Sequence, residues 1–154
     1  MTTLGLINQF FSQKRIALIG ASRNPGDFSR RLMKELSGRG IDVVPVNTHA
    51  DEIDGKPCAR SIQAVTPEVS AALILTPKDG MMQAVSECAA AGVGTVWLFG
   101  IKGPKEIPAE VIELCARRAM TVIPGYCPYM FLENAGWFHR VHGSFNRLVG
   151  AFPA

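Results

Sequence analysis

The sequence predicts an α/β fold: an open parallel sheet of about five strands with helices on both faces, in three layers. Three observations carry that expectation. Runs of strand length such as IALI, DVVPV and TVWLF are apolar at nearly every residue, as in strands covered on both faces. Between them, apolar residues recur at helical spacing. The two kinds of segment alternate along the chain, which is the pattern of right-handed βαβ units.

The elements follow in order. Within residues 1–14, Leu4, Leu6, Ile7, Phe10 and Phe11 share one face of a short helix that ends before Lys14 and Arg15. Ile16 to Ile19 is the first strand, closed by Gly20. After a polar turn, Phe28, Leu32, Met33 and Leu36 mark a helix with Asp27 as N-cap and Gly40 as terminator. Asp42 to Val46 is the second strand. NTHADEIDGKPC reads as a polar connection with turns at Gly55 and Pro57, and Ser61 to Val65 as a short helix.

Ala71 to Leu75 is the third strand, broken by Thr76 and Pro77. Met81, Met82, Val85, Cys88 and Ala89 mark the next helix, which closes near Gly92. Thr95 to Phe99 is the fourth strand, and Gly100 turns the chain out of it. Trp97 and Phe99 share one face by alternation and are assigned to the core. Pro104 and Pro108 precede a helix that turns Val111, Ile112, Leu114 and Cys115 inward, and Thr121 to Ile123 is the fifth strand. Trp137 to Val149 has the pattern of a last helix. A helix and tail over 135–154 complete an expected single domain over 1–154.

Composition narrows the function classes. The chain of 154 residues suffices for one domain with its own core. At 47% hydrophobic and 19% charged it is globular rather than disordered. A net charge of +3 without a long basic tract argues against nucleic acid and suits a phosphorylated small molecule. The cysteines at 58, 88, 115 and 127 form no CxxC pair, and a core of this size has little need of disulfides. With neither a signal-peptide pattern nor a membrane-spanning run, the expected location is cytoplasmic, without membrane contact.

In an open parallel sheet the ligand crevice lies beyond the carboxyl ends of the strands. That singles out the segments after Ile19, Val46, Leu75 and Phe99. Gly20 permits close backbone approach. Ser22 and Asn24 offer hydrogen-bonding side chains and Arg23 a charge, and the following helix begins with unpaired amides and a dipole that attract phosphate. Arg30 and Arg31 add long-range attraction. An ordinary βα turn would also use a glycine and polar residues.

In GASRNPG, Ser22 stands where the second glycine of GxGxxG belongs, and no glycine-lysine-hydroxyl triplet marks a P-loop. After the second strand, VVPVNTH offers Asn47 where NAD-binding proteins often place an acid. That leaves room for a phosphorylated ribose, which Lys56 could neutralise unless it is simply a solvated lysine. Thr76 could contact a ligand. Pro77 is either a rigid edge against an adenine or pantetheine arm or the opening of the next helix, and Lys78 follows it. Gly100, with Gly103 behind it, offers another close approach.

Taken in order, IALIGASRNP, PVN, the loop to EIDGKP, TPK and VWLFG resemble the small stand-alone CoA-binding proteins. These are similar in turn to the N-terminal CoA-binding domain of the succinyl-CoA synthetase alpha subunit. The resemblance covers residues 14–135. It implies a Rossmann-like domain that binds coenzyme A or an acyl-CoA at the carboxyl edge of its sheet. It also implies that Gly20, Ser22, Arg23 and Asn24 cradle the pyrophosphate and that Asn47 and Lys56 lie toward the adenosine. Thr76 and Pro77 would flank the nucleotide and the start of the arm, with Lys78 and Gly100 as further candidates at the strand ends.

The synthetase's second domain, with its phosphorylated histidine, has no counterpart in these residues, and its glycine-rich turn differs from SRNP. Two other readings stay open: an NADP- or NAD-binding oxidoreductase domain, and a partner-binding domain with a vestigial nucleotide cleft. A homodimer through the N-terminal helix or Trp137-Phe138 is also open.

Candidates for catalysis are Cys127, Glu133, His139 and His142, but Cys127 lacks an evident activating base and reads as an interior residue. His139 and His142 supply at most two metal ligands where structural zinc wants four, so no metal is expected. His49 is placed nearer the nucleotide end. Asp51, Glu52 and Asp54 read as a solvated cluster. No catalytic residue is assigned, and the residues favour a binding protein over an enzyme.

Overall fold

The computed structural model describes residues 2–132. The elements run in the order α1 (Thr3–Phe11), β1 (Arg15–Ile19), α2 (Phe28–Gly38), β2 (Asp42–Val46), β3 (Glu52–Ile53), β4 (Lys56–Pro57), β5 (Ala71–Ile74), α3 (Lys78–Ala90), β6 (Thr95–Phe99), α4 (Ala109–Arg117) and β7 (Thr121–Tyr126). Five strands form one parallel sheet in the order β2-β1-β5-β6-β7, and β3 pairs with β4 in a separate hairpin. The three-layer α/β architecture expected from the sequence is the observed one. Helix Trp137 to Val149, the tail over 135–154, and Glu133, His139 and His142 lie outside the described residues.

Strand periodicity divides the core in two. Ile16, Leu18, Leu73, Trp97 and Ile123 pack beneath α1 and α2, while Ala17, Ile19, Ala72, Ile74, Val96 and Leu98 pack beneath α3 and α4. Both faces are therefore covered, which is why these strands carry so few polar residues. Trp97 is fully buried, lies edge-on to Phe10 with centroids 5.3 Å apart, and donates its indole N–H to the Tyr126 carbonyl. Helix α1 thus docks on the sheet of its own chain through Ile7 and Phe10.

Chain order sets the position of the crevice. After β1 the chain moves outward to β2, then crosses back to lay β5 on the other side of β1 and continues to β6 and β7. The order reverses between β1 and β5, and the α2 and β5–α3 connections leave in opposite directions there. A cleft at the carboxyl ends is the geometric consequence.

Two features differ from the sequence expectation. The polar connection after β2 folds as the β3–β4 hairpin, turned by Asp54 (φ 55°) and Gly55 (φ 74°). An Asp-Gly pair with both φ values positive matches the twist of the flanking strands. The fifth strand also continues past Ile123 to Tyr126, with a register irregularity where Leu98 and Phe99 face it. Gly125 (φ 71°) makes that extension possible, because a Cβ there would lie 2.2 Å from the Gly103 carbonyl oxygen.

This contact yields a stability prediction. Gly125→Ala is expected to lower stability by more than about 2 kcal/mol, read as a fall in the urea midpoint. Gly38→Ala, whose Cβ would meet nothing within 4 Å, is expected to leave that midpoint unchanged or raise it slightly.

Candidate functional site

Gly20 leaves β1 with φ +92°, and a Cβ on it would lie 3.2 Å from both the Leu75 carbonyl carbon and the Thr76 nitrogen. The exit of β1 therefore rests directly on the exit peptide of β5. The Leu75 amide donates to the Ile19 carbonyl at 2.9 Å, which holds the two exits together. On the other side, the Asn47 side-chain amide donates to the Ala21 carbonyl at 2.7 Å and its oxygen accepts the His49 amide at 2.7 Å. Asn47 thus ties the loop after β2 to the loop after β1. Ala59 runs parallel to Val46 in a single bridge, which brings Arg60 beside Thr48 and His49.

These contacts enclose a cleft of about 340 Å³ whose walls include Gly20, Asn47, His49, Arg60, Thr76 and Gln83. Past Thr76 lies a second hollow of about 250 Å³, bounded by Pro77, Lys78, Phe99, Gly100, Ile101 and Glu106. Thr76 borders both, and its hydroxyl oxygen is buried with no hydrogen-bond partner among the described residues. An unsatisfied buried hydroxyl costs about 1–3 kcal/mol, which a ligand group could recover. Larger hollows of about 600 Å³ beside α2 and about 400 Å³ toward the amino ends of β1 and β2 lie away from the reversal. Position and converging polar groups select the site here, not volume.

The turn after Gly20 is organised differently from the expectation of unpaired helix-start amides. Ser22 N–H donates to the Ser29 hydroxyl, Asn24 N–H to the Ser22 hydroxyl, and Gly26 N–H to the Asn24 side chain. Asp27 accepts the Ser29 amide and hydroxyl, and so caps α2 with its own negative charge. A carboxylate already meets the helix dipole there. Residues 23–26 of this turn are exposed, and the Arg23 amide is not among those that the turn engages. Arg30 does not face outward: it binds the Arg23 carbonyl and Asp54 and pins the turn to the β3–β4 hairpin. By contrast, among the described residues no side chain caps the start of α3, which opens at Pro77 beside Thr76.

Of the candidates from the sequence, Gly20, Asn47 and Thr76 come together around the first cleft, and Pro77, Lys78 and Gly100 around the second. Ser22, Arg23 and Asn24 follow Gly20 directly without lining either. Lys56 is not brought to the cleft. Its ammonium group binds the Ser37 hydroxyl at 3.1 Å and the Val43 carbonyl at 3.2 Å, toward the amino half of β2. The hairpin register fixes that direction. Gly100 is required by the chain's own packing, since a Cβ would fall 2.6 Å from a Glu106 carboxylate oxygen and 2.8 Å from the Gly125 Cα.

Arg60 was missed by the sequence reading, and its signal lay in its distance from the Asp54-Gly55 turn, which returns the chain to the end of β2. Cys127 is buried and its thiol is pushed up to about 11 by desolvation, so it carries no thiolate near neutrality. All four cysteines are free thiols, and among the described residues no three metal-ligating side chains cluster. No described helix is long and apolar enough to cross a membrane.

Residues 14–133 match the family described as CoA binding domain. The chain is 31% identical over 129 residues to the alpha subunit of an ADP-forming acetate–CoA ligase II from Pyrococcus furiosus, covering 79% of this chain and 28% of that protein. It is 30% identical over 118 residues to an ADP-forming acetate–CoA ligase from Methanocaldococcus jannaschii, covering 74% and 17%. The chain thus spans less than a third of these curated relatives. Among solved structures, a conserved hypothetical protein from Pyrococcus furiosus superposes with a TM-score of 0.66 at 29% identity, covering 74% of this chain and 95% of that one. A dinucleotide-forming acetyl-coenzyme A synthetase from Ca. Korarchaeum cryptofilum, in complex with phosphate and ADP, superposes with 0.65 at 26% identity, covering 77% and 27%.

Two predictions test the geometry. Thr76→Val removes the unpartnered hydroxyl at nearly constant shape, so the unliganded protein is expected to melt at a higher temperature. If a ligand uses that hydroxyl, the same variant binds it several-fold more weakly by calorimetry. The hydrogen bonds from Ser29 hold the Asp27 carboxyl below the usual carboxylate range. The stability this gives is complete above about pH 4 and is lost as pH falls through the lower folded value. Asp27→Asn is therefore expected to lower the Tm at pH 7, with the gap to wild type narrowing as pH falls below the ordinary carboxylate value of about 4.

Proposed function

The chain belongs to the CoA binding domain family, and from that premise we propose that it binds coenzyme A or an acyl-CoA across the carboxyl edge of its sheet, at the β1/β5 reversal. The observation that carries this reading is the side-chain-free contact of Gly20 with the Leu75–Thr76 peptide, beneath a cleft that holds an unsatisfied threonine hydroxyl. The residues suit such a ligand. The strand exits that meet at Gly20 form a floor, the hydroxyl offers a hydrogen bond, and the two hollows meeting at Thr76 match an elongated molecule.

In this reading the nucleotide end lies toward Asn47, His49 and Arg60. The arm passes Thr76 and Pro77 toward Phe99 and Ile101. Ser22, Arg23 and Asn24 act on the diphosphate through side chains and the Arg23 amide, since the amides of Ser22, Asn24 and Gly26 are engaged within the turn. Asn47 is a positioning residue that holds the loop in place. Lys78 stands at the uncapped start of α3, where its charge adds to the attraction for an anion. Helix α1 packs on the same core, so the binding unit extends from the N-terminal helix through β7. The groups that line the cleft bind and orient; we assign the site no bond-making step.

Calorimetric titration with CoA and with NADP tests the reading. CoA is expected to bind at least about tenfold more tightly, and Gly20→Val, which presses apart the strand exits that floor the cleft, is expected to abolish binding. Tighter binding of NADP, or no heat from CoA at millimolar concentration, would overturn it.

A further inference from the structure

Among the described residues, Arg60 is the one permanently cationic side chain lining the cleft of Gly20, Asn47 and Thr76, and Glu87 is the one carboxylate there. The residue before Arg60 is held firmly: the Ala59 amide donates to the Pro45 carbonyl at 3.0 Å and the Asn47 amide to the Ala59 carbonyl at 2.9 Å. The Arg60 side chain is not, and its guanidinium is held only lightly. Two of its nitrogens contact one oxygen of Asp51, at 3.0 and 2.8 Å, and a third reaches the Thr48 carbonyl at 3.4 Å. The side chains of this pair are 59% and 83% exposed. Exposed ion pairs contribute only about 0–1 kcal/mol, so Asp51 is a partner that a stronger anion displaces with little loss. A phosphate monoester is such an anion: it carries more charge and offers several oxygens to the planar fork.

We propose that Arg60 is the residue by which this cleft selects a ligand with a phosphorylated ribose, and that Asp51 holds the guanidinium in place until the phosphate takes it over. This rests on the CoA reading above and adds a discrimination that the reading alone does not require. It also moves the phosphate contact from Lys56, whose ammonium is tied to Ser37 and Val43, to a residue at the cleft itself.

The test is calorimetry with CoA and with dephospho-CoA, which differ only in the ribose phosphate. Wild type is expected to bind CoA at least about tenfold more tightly. Arg60→Gln should bring CoA down to the affinity of dephospho-CoA while leaving dephospho-CoA unchanged. Asp51→Asn should strengthen CoA binding several-fold without affecting dephospho-CoA, a gain that misfolding cannot produce. Equal affinity of wild type for the two ligands overturns the proposal and leaves the CoA reading standing. So does an equal loss for both in Arg60→Gln, a preference that survives that change, or one removed by Lys56→Gln or Arg23→Gln instead. Absence of binding to both ligands overturns the CoA reading, and this inference with it.

Discussion

The arrangement depends on one contact, the Cα of Gly20 lying against the Leu75–Thr76 peptide. At φ +92°, and with an added Cβ falling 3.2 Å from two backbone atoms, a side chain here would be strained and would press the exits of β1 and β5 apart. Because those two strands flank the point where strand order reverses, their exits form the floor of the crevice. Asn47 then fixes one wall and Pro77 begins the other. A single residue without a Cβ thus links the packing of the sheet to the shape of the cleft.

The loop above that floor shows a compromise between local stability and ligand binding. Ser22, Asn24, Asp27 and Ser29 form a chain of short-range hydrogen bonds that satisfies the turn internally. Such side-chain bonds favour turns and caps over continuation of a helix. The result is a preformed loop, but one whose Ser22, Asn24 and Gly26 amides are already engaged and whose cap is anionic. In the proposed complex, attraction for the diphosphate then comes largely from the Arg23 side chain and is screened by salt. This differs from glycine-rich phosphate loops, in which the backbone itself is the donor.

The strands, their order along the chain and the Asp27 cap were legible in the sequence, because apolar runs and capping residues act locally. Gly20 and Thr76 were legible as strand-end residues, since the crevice rule needs only the strand ends. The roles of Asn47, Lys56 and Gly100 were not. Each depends on where a side chain points after tertiary contacts form: Asn47 toward Ala21, Lys56 toward Ser37, and Gly100 against Gly125. Lys56 and Arg60 sit four residues apart on one connection. Only the register of the β3–β4 hairpin decides which reaches the cleft, and the Asp54-Gly55 pair that sets this register was read as part of a loop. The Asp-Gly signal was present in the sequence, and its consequence for Arg60 was not.

Amide NMR shifts followed during titration with CoA test the central claim most directly. A ligand seated on the Gly20 floor moves the amides of Gly20, Ala21, Thr48, His49, Thr76 and Lys78 together, with one saturation curve. Shifts confined to the groove of Arg31, Lys34 and Glu35, with the Gly20 and Thr76 amides unmoved, would contradict it.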